Sequence, residues 1–304
     1  MVVIRLLKME FYHRPVLVKE VLKNLIMNPK GSYIDCTCGE GGHSYEIAKI
    51  LSNRGVLICV DKDSDVLEKA KVRLSEFKNV YFVNEGFENI DKISVDSGIE
   101  KFDGILLDLG VSMYHYVEKS KGFSFDSEYP LTMTYARADR VEYTAYRVVN
   151  GFSRKKLAEV IFKYGEEPLA GRIANAIVEY RKKKRIETPK ELAEVISKAV
   201  GKYYKSRIHP ATKTFMAIRI FVNREYEVLE TFISKVKDFV SSGGRVCFIT
   251  FHSGEDRIVK LRMREMVRMG EFRMVNDKPI IPTKEEIRQN YASRSAKLRV
   301  YEKV

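Results

Sequence analysis

The chain has 304 residues, 45% of them hydrophobic and 31% charged, which is the balance of a packed globular protein with one large domain or two ordinary ones. No run reaches the ~18 consecutive apolar residues of a membrane helix, and MVVIRLLKMEFYHRP mixes charges into its apolar start without a cleavage site, so the expectation is a cytoplasmic protein with no membrane partner. Of the formal charge of +13, residues 140–219 carry +11 (19 Lys and Arg against 8 Asp and Glu), which suits a polyanionic partner or a solvated helical surface.

In chain order, short β-rich runs alternate with helical stretches. Strands are expected at 32–36, 56–60, 80–83 and 104–107, with helices at 43–52 and 65–77 between them. Nearly continuous apolar strands separated by helices indicate a parallel sheet buried on both faces, hence an α/β, doubly wound fold. From about 113 to 142 the chain has no sustained period. Helices are then expected at 153–164, 167–184 and 188–200, the last with Thr188 as N-cap, Pro189 in the first turn and Glu191 at capping-box spacing. One long helix over about 211–240 is expected to end at Ser-Ser-Gly-Gly, before a strand at 245–251, a helix at 255–269 and β-like runs at 272–275 and 297–301. The pattern places a basic helical domain, residues 113–210, inside an α/β domain made of 1–112 and 211–304.

The four cysteines, Cys36, Cys38, Cys59 and Cys247, fall in or beside expected strands. No second close Cys or His pair completes a ligand set with Cys36 and Cys38, so reduced core thiols are expected and no metal.

Chemistry concentrates at the strand ends. Gly39-Glu40-Gly41-Gly42-His43 follows the first strand and opens the first helix, where glycines admit a ligand close to the backbone and a helix N-terminus supplies donors. The spacing G-x-G-G departs from the dinucleotide fingerprint G-x-G-x-x-G, which weakens an NAD oxidoreductase reading. Asp61 ends the second strand, where an acidic residue hydrogen-bonds a ribose diol. Phe87, after the third strand, packs either on an adenine or in the core. Asp108 ends the fourth strand and faces the ligand crevice. Together these favour an adenosyl ligand.

With these residues in place, the chain resembles the MraW/RsmH family of 16S rRNA cytosine-N4 methyltransferases. The blocks that carry the resemblance are GEGGHS (39–44), GILLDLGVS (104–112), GFSF (122–125), YGEE (164–167), HPATKTF (209–215), IRIFVNRE (218–225) and ITFHSGEDRIVK (249–260), within a match running from His13 to Arg299. The resemblance implies a class I methyltransferase sheet, Rossmann-like and mostly parallel, with an inserted helical domain. It also implies S-adenosyl-L-methionine as cofactor and 16S rRNA or the small ribosomal subunit as partner. It carries cofactor contacts onto Gly41, Gly42, His43, Asp61, Phe87 and Asp108, and onto His115 where the family normally has Gln; Gly39 joins them from the loop motif. The chain departs from the family at Met113-Tyr114-His115 (usually Ser-Pro-Gln), at Pro130-Leu131-Thr132-Met133-Thr134-Tyr135 (usually P-L-D-M-R-M) and at Tyr291-Ala292-Ser293 (usually Pro-Arg-Ala). These segments read as substrate-side loops.

The conjugated amine of cytosine is a poor nucleophile, so an acceptor beside it is expected to help methyl transfer. Asp108 is the first candidate, followed by Ser112, Asn223, His252 and Glu255. His252 to Glu255 reads equally as a helix cap. The target base has to leave its stack, and Tyr114, Phe123, Phe125 and Tyr135 are placed to receive it or to form a core beneath the loop. Arg181-Lys182-Lys183-Lys184-Arg185 reads as a phosphate contact or a solvated face. The competing functions are methylation of another RNA base or a non-RNA substrate, and an RNA-binding module without turnover. The oligomeric state is left open.

Overall fold

The computed structural model describes residues 14–111, 114–115, 119–136, 138–201 and 208–304. Ser112 lies outside them. The chain packs as two compact units, one of the described residues before 112 together with Tyr226–Val304, the other of those between.

The first unit runs α1 (Val18–Leu25), β1 (Ser32–Asp35), α2 (Gly42–Ile50), β2 (Val56–Val60), α3 (Ser64–Arg73), β3 (Val80–Val83), α4 (Ile90–Ser97) and β4 (Phe102–Asp108). It resumes with α10 (Glu225–Val236, whose first residue belongs to the other unit), β5 (Val240–Thr250), α11 (Ser253–Arg268), β6 (Phe272–Met274), α12 (Lys284–Gln289) and β7 (Lys297–Lys303). The seven strands form one sheet in the order β3-β2-β1-β4-β5-β7-β6. β1 to β5 are parallel, β7 runs antiparallel to β5, and β6 antiparallel to β7. Successive side chains of a strand point to opposite faces, and here both faces are apolar. Tyr33, Leu57, Cys59, Leu106, Cys247, Ile249 and Leu298 enter one core, and Ile34, Ile58, Ile105, Leu107, Val246, Phe248 and Tyr301 enter the other. That two-sided burial is why the strands read as continuous apolar runs. It gives the mostly parallel, doubly wound class I methyltransferase sheet that the resemblance implies. All four cysteines are buried free thiols.

The second unit is helical: α5 (Ala145–Gly151), α6 (Arg154–Gly165), α7 (Ala170–Arg181), α8 (Pro189–Val200) and α9 (Thr212–Asn223). Side chains start three of these as local chemistry requires. Thr144 Oγ1 accepts from Arg147 N–H and Ser153 Oγ from Lys156 N–H, and Thr188 with Glu191 forms the capping box, Pro189 following in the first turn.

The single helix expected over 211–240 is two helices. Arg224 adopts φ 52°, a left-handed conformation that ends α9 before α10 begins. Ser241-Ser242-Gly243-Gly244, expected to stop that helix, lies inside β5. The break matters for the domain boundary, because α9 packs along α6 in the helical unit rather than joining the sheet. Contact there is so close that a Cβ on Gly165 would sit 2.5 Å from the Lys213 carbonyl oxygen. Residues 212–225 accordingly pack with the helical unit. No helix among the described residues is long and apolar enough to cross a membrane.

Candidate active site

The carboxyl ends of β1, β2 and β4 bring together the acidic residues and the glycine loop. Gly39 and Gly41 both have positive φ, 54° and 77°. Gly41 is the N-cap of α2, and a Cβ there would meet Leu74 Cδ1 at 3.1 Å, so both its backbone angle and its packing exclude a side chain. The loop is stitched to the sheet by Cys36 N–H to the Leu106 carbonyl and Cys38 N–H to the Val60 carbonyl, both 2.9 Å. Asp61 holds the same loop from the next strand. One carboxylate oxygen accepts from Gly39 N–H and the other from Asp63 N–H, each at 2.9 Å.

Beneath the loop lies a buried charged set that sequence reasoning found only in part. His43 Nε2 is 2.8 Å from the Val16 carbonyl oxygen, so that nitrogen carries the proton, and Nδ1 faces Asp108 Oδ2 at 3.4 Å. Burial alone would lower the His43 pKa; the hydrogen bond and charge of Asp108, helped by Asp35 and the Val16 carbonyl, outweigh it and raise the pKa above 6.5. Asp35 accepts from Ser44 Oγ at 2.6 Å and from Thr37 N–H at 3.2 Å. Burial pushes its pKa up from 3.8 to about 6, against the opposing charge of His43 and the Ser44 bond. Asp108 closes the set. Its N–H donates to Thr37 Oγ1 at 2.6 Å, while its Oδ1 is buried with no hydrogen-bond partner among the described residues. A buried acceptor without a donor is costly unless a ligand completes it. Asp35, Thr37 and Ser44 were not expected in the site. The available signal was a carboxylate ending an otherwise apolar strand, with a hydroxyl one helical turn into α2.

Phe87 sits on a 3₁₀ turn after β3, half-buried, its ring edge-on to Phe232 at 5.6 Å. One side thus belongs to the core and the rest is available. Gly42 rests against Pro15, where an added Cβ would lie 3.3 Å from the ring.

The other described candidates make hydrogen bonds or ring contacts within their own elements and units. His252 caps α11: its Nδ1 accepts from Glu255 N–H at 3.4 Å, and Glu255 reaches back to accept from Phe251 N–H at 3.0 Å. His252 Nε2 lies 3.0 Å from Glu255 Oε1 but is not aligned for a hydrogen bond. In the helical unit the Asn223 amide accepts from Tyr135 N–H (3.0 Å) and donates to the carbonyls of Met133 (2.8 Å) and Arg219 (2.9 Å), so it positions the altered 130–135 segment instead of presenting a free acceptor. His115 is buried against the rings of Phe123 and Tyr135, centroids 5.2 and 5.4 Å away. Phe125 stacks on His209 and meets Phe215 edge-on, so both phenylalanines are core aromatics of that unit. In the basic run, Arg181 donates to the Val149 and Phe152 carbonyls and Arg185 to that of Asn150, while Lys182 pairs with Glu179 and Lys184 with Glu191. Among the described residues Lys183 meets no carboxylate, so the run is largely tied into its own unit.

The family model described as "MraW methylase family" matches residues 10–304. The chain belongs to the MraW methylase family. Two relatives, both named Ribosomal RNA small subunit methyltransferase H, cover almost the whole chain. That of Clostridioides difficile is 45% identical over 316 residues, 97% of this chain and 100% of the relative. That of Persephonella marina is 47% identical over 296 residues, 96% and 99% respectively. Among solved structures, an rRNA methylase from Streptococcus thermophilus aligns over 94% of this chain and 93% of its own at 12% identity and TM-score 0.45, a likeness too distant to carry a functional argument. In this MraW-family chain two of the blocks that carry the resemblance, 39–44 and 104–112, supply the glycine loop and Asp108.

Proposed function

We propose that the chain transfers the methyl group of S-adenosyl-L-methionine to the exocyclic N4 amine of a cytosine in small-subunit ribosomal RNA, in the cytoplasm. The observation that carries this reading is the buried, donor-seeking Oδ1 of Asp108 beside a side-chain-free glycine loop. The MraW family match and the names of the relatives supply the substrate class.

The residues present fit the cofactor. Asp61 stands at the end of β2, where an acidic residue binds a ribose diol, Gly39 and Gly41 give the loop its left-handed backbone, and Phe87 offers an apolar edge to the adenine. When bound, the sulfonium supplies an electrophilic methyl group. Asp35 and Asp108 set two carboxyl groups against one imidazole, a balance that favours a cationic donor over the neutral product left after transfer. Asp108, held by His43, is the acceptor placed to take a hydrogen bond from a ligand ammonium or from the attacking amine. His43 fixes its orientation. The cytosine has to be presented unstacked and in line with the methyl group, which contributes most of the rate through placement.

The test is incubation with labelled S-adenosylmethionine and unmodified small ribosomal subunits, followed by digestion of the RNA to nucleosides. Label in N4-methylcytidine is the expected outcome. Label in another nucleoside would retire the base assignment, and cofactor binding with no label in RNA would retire the substrate class.

A further inference from the structure

The carboxyl edge of the sheet holds a second concavity, of about 320 Å3, that the cofactor residues do not use. Phe251, His252, Ile281, Ile287, Arg294 and Lys297 are among its lining, and none of its lining residues is acidic. Its place follows from the register of the sheet. Asp108 pairs with Ile249 of β5, and Thr250 pairs with Lys297, the first residue of antiparallel β7. The pocket therefore opens on the edge from which Asp108 emerges, two strands away, or ~10 Å at ~4.8 Å per strand.

Its chemistry is that of a nucleotide seat. Asp256 is held bidentately by Arg299 at 2.7 and 3.2 Å with Lys297 at 3.3 Å, so one positive charge is left over at the rim. Arg294 adds a second, its guanidinium 4.3 Å from the ring centre of Tyr291, which is 69% exposed. Ile281, 65% exposed, gives the opposite side an apolar wall. Cations beside exposed flat and apolar side chains are what single-stranded nucleic acid uses, phosphate to the charges and base to the wall. The volume lies near the lower end of the ~300–1,000 Å3 of small-ligand sites, sufficient for one nucleotide and too small for a duplex. Tyr291, at one of this chain's departures from the family pattern, backs Arg294 of the lining.

We infer that this pocket receives an unpaired nucleotide of the substrate strand beside the one being methylated, an inference that rests on the rRNA methyltransferase reading. The pair of variants Arg294→Ala and Ile281→Ala tests it on the full chain, with methylation of unmodified small subunits as one readout and calorimetric S-adenosylmethionine binding as another. Each variant is expected to raise the KM for RNA about 10-fold, the loss of one base or phosphate contact, with kcat at saturating RNA, cofactor affinity and melting temperature unchanged. Arg294→Ala alone also lowers the slope of log affinity against log salt by about 1. Wild-type KM in both variants overturns the inference, as does a KM rise matched by an equal loss of cofactor affinity. A wild-type protein that methylates no RNA is a different result, and overturns the function reading together with the inference.

Discussion

Replacing Asp35 by Asn tests the electrostatic account of the site without touching its surface. The carboxylate is buried, and its pKa is raised from 3.8 to about 6 by burial, so its ionised form costs the folded state stability. A raised folded pKa gives a contribution that is whole below the unfolded pKa and is lost as pH climbs through the folded one. Two pKa units at ~1.36 kcal/mol each make a total of about 3 kcal/mol, of which about 2 kcal/mol is lost between about pH 4.5 and about pH 8. The amide keeps the local bonds, since its oxygen accepts from Thr37 N–H and its nitrogen donates to Ser44 Oγ. His43 acts in the same direction, because Asp35 is one of the groups raising its pKa. Denaturant unfolding of wild type and Asp35→Asn across this range should show the variant gaining about 2 kcal/mol relative to wild type as pH rises. A difference that stays flat with pH would refute the buried-carboxylate argument, and one of opposite slope would mean that Asp35 is stabilised as an anion.

Three further outcomes follow from the same geometry. Asp108→Asn should weaken S-adenosylmethionine binding by about 10- to 150-fold, the worth of a hydrogen bond to a charged group, and should lower the His43 pKa measured by NMR because the largest contributions raising it are gone. Gly41→Ala should cost about 1–3 kcal/mol in unfolding experiments and impair cofactor binding, since φ is 77° and Leu74 Cδ1 stands 3.1 Å from the new methyl. Arg181→Ala should lower the melting temperature by uncovering the Val149 and Phe152 carbonyls, whereas Lys183→Ala leaves stability intact and slightly flattens the salt dependence of RNA binding.

The two-faced sheet was legible because buried parallel strands must be apolar on both sides, and β2 and β3 fall where the apolar runs place them. The caps Ser153 and Thr188 were legible because they answer to the next three residues alone. The helix break at Arg224 was not: IRIFVNRE keeps its helical period through a left-handed residue that only the packing of α9 on α6 demands. In the site, Gly41, Asp61 and Asp108 announced themselves by position at strand ends. The hydrogen bonds that Asn223 and His252 make to the backbone were not legible, because sequence does not show where a side chain's partners lie.

The sequence by itself determined the apolar strands of the parallel sheet, the helices capped by Ser153 and Thr188, the glycine loop, the strand-end carboxylates and the family, all of which rest on local pattern or contiguous blocks. Only the tertiary structure decided which polar groups are free. Val16, twenty-seven residues before His43, fixes that ring's proton, and across β7 and its neighbours Glu302 pairs with Arg245 while Asp256 pairs with Arg299. It also left Asp108 Oδ1 without a hydrogen-bond partner among the described residues and opened a basic pocket between Phe251 and Lys297. Hydrogen bonding and burial are properties of groups brought together from distant parts of the chain, so a local pattern can nominate a residue but only packing decides whether it is already satisfied.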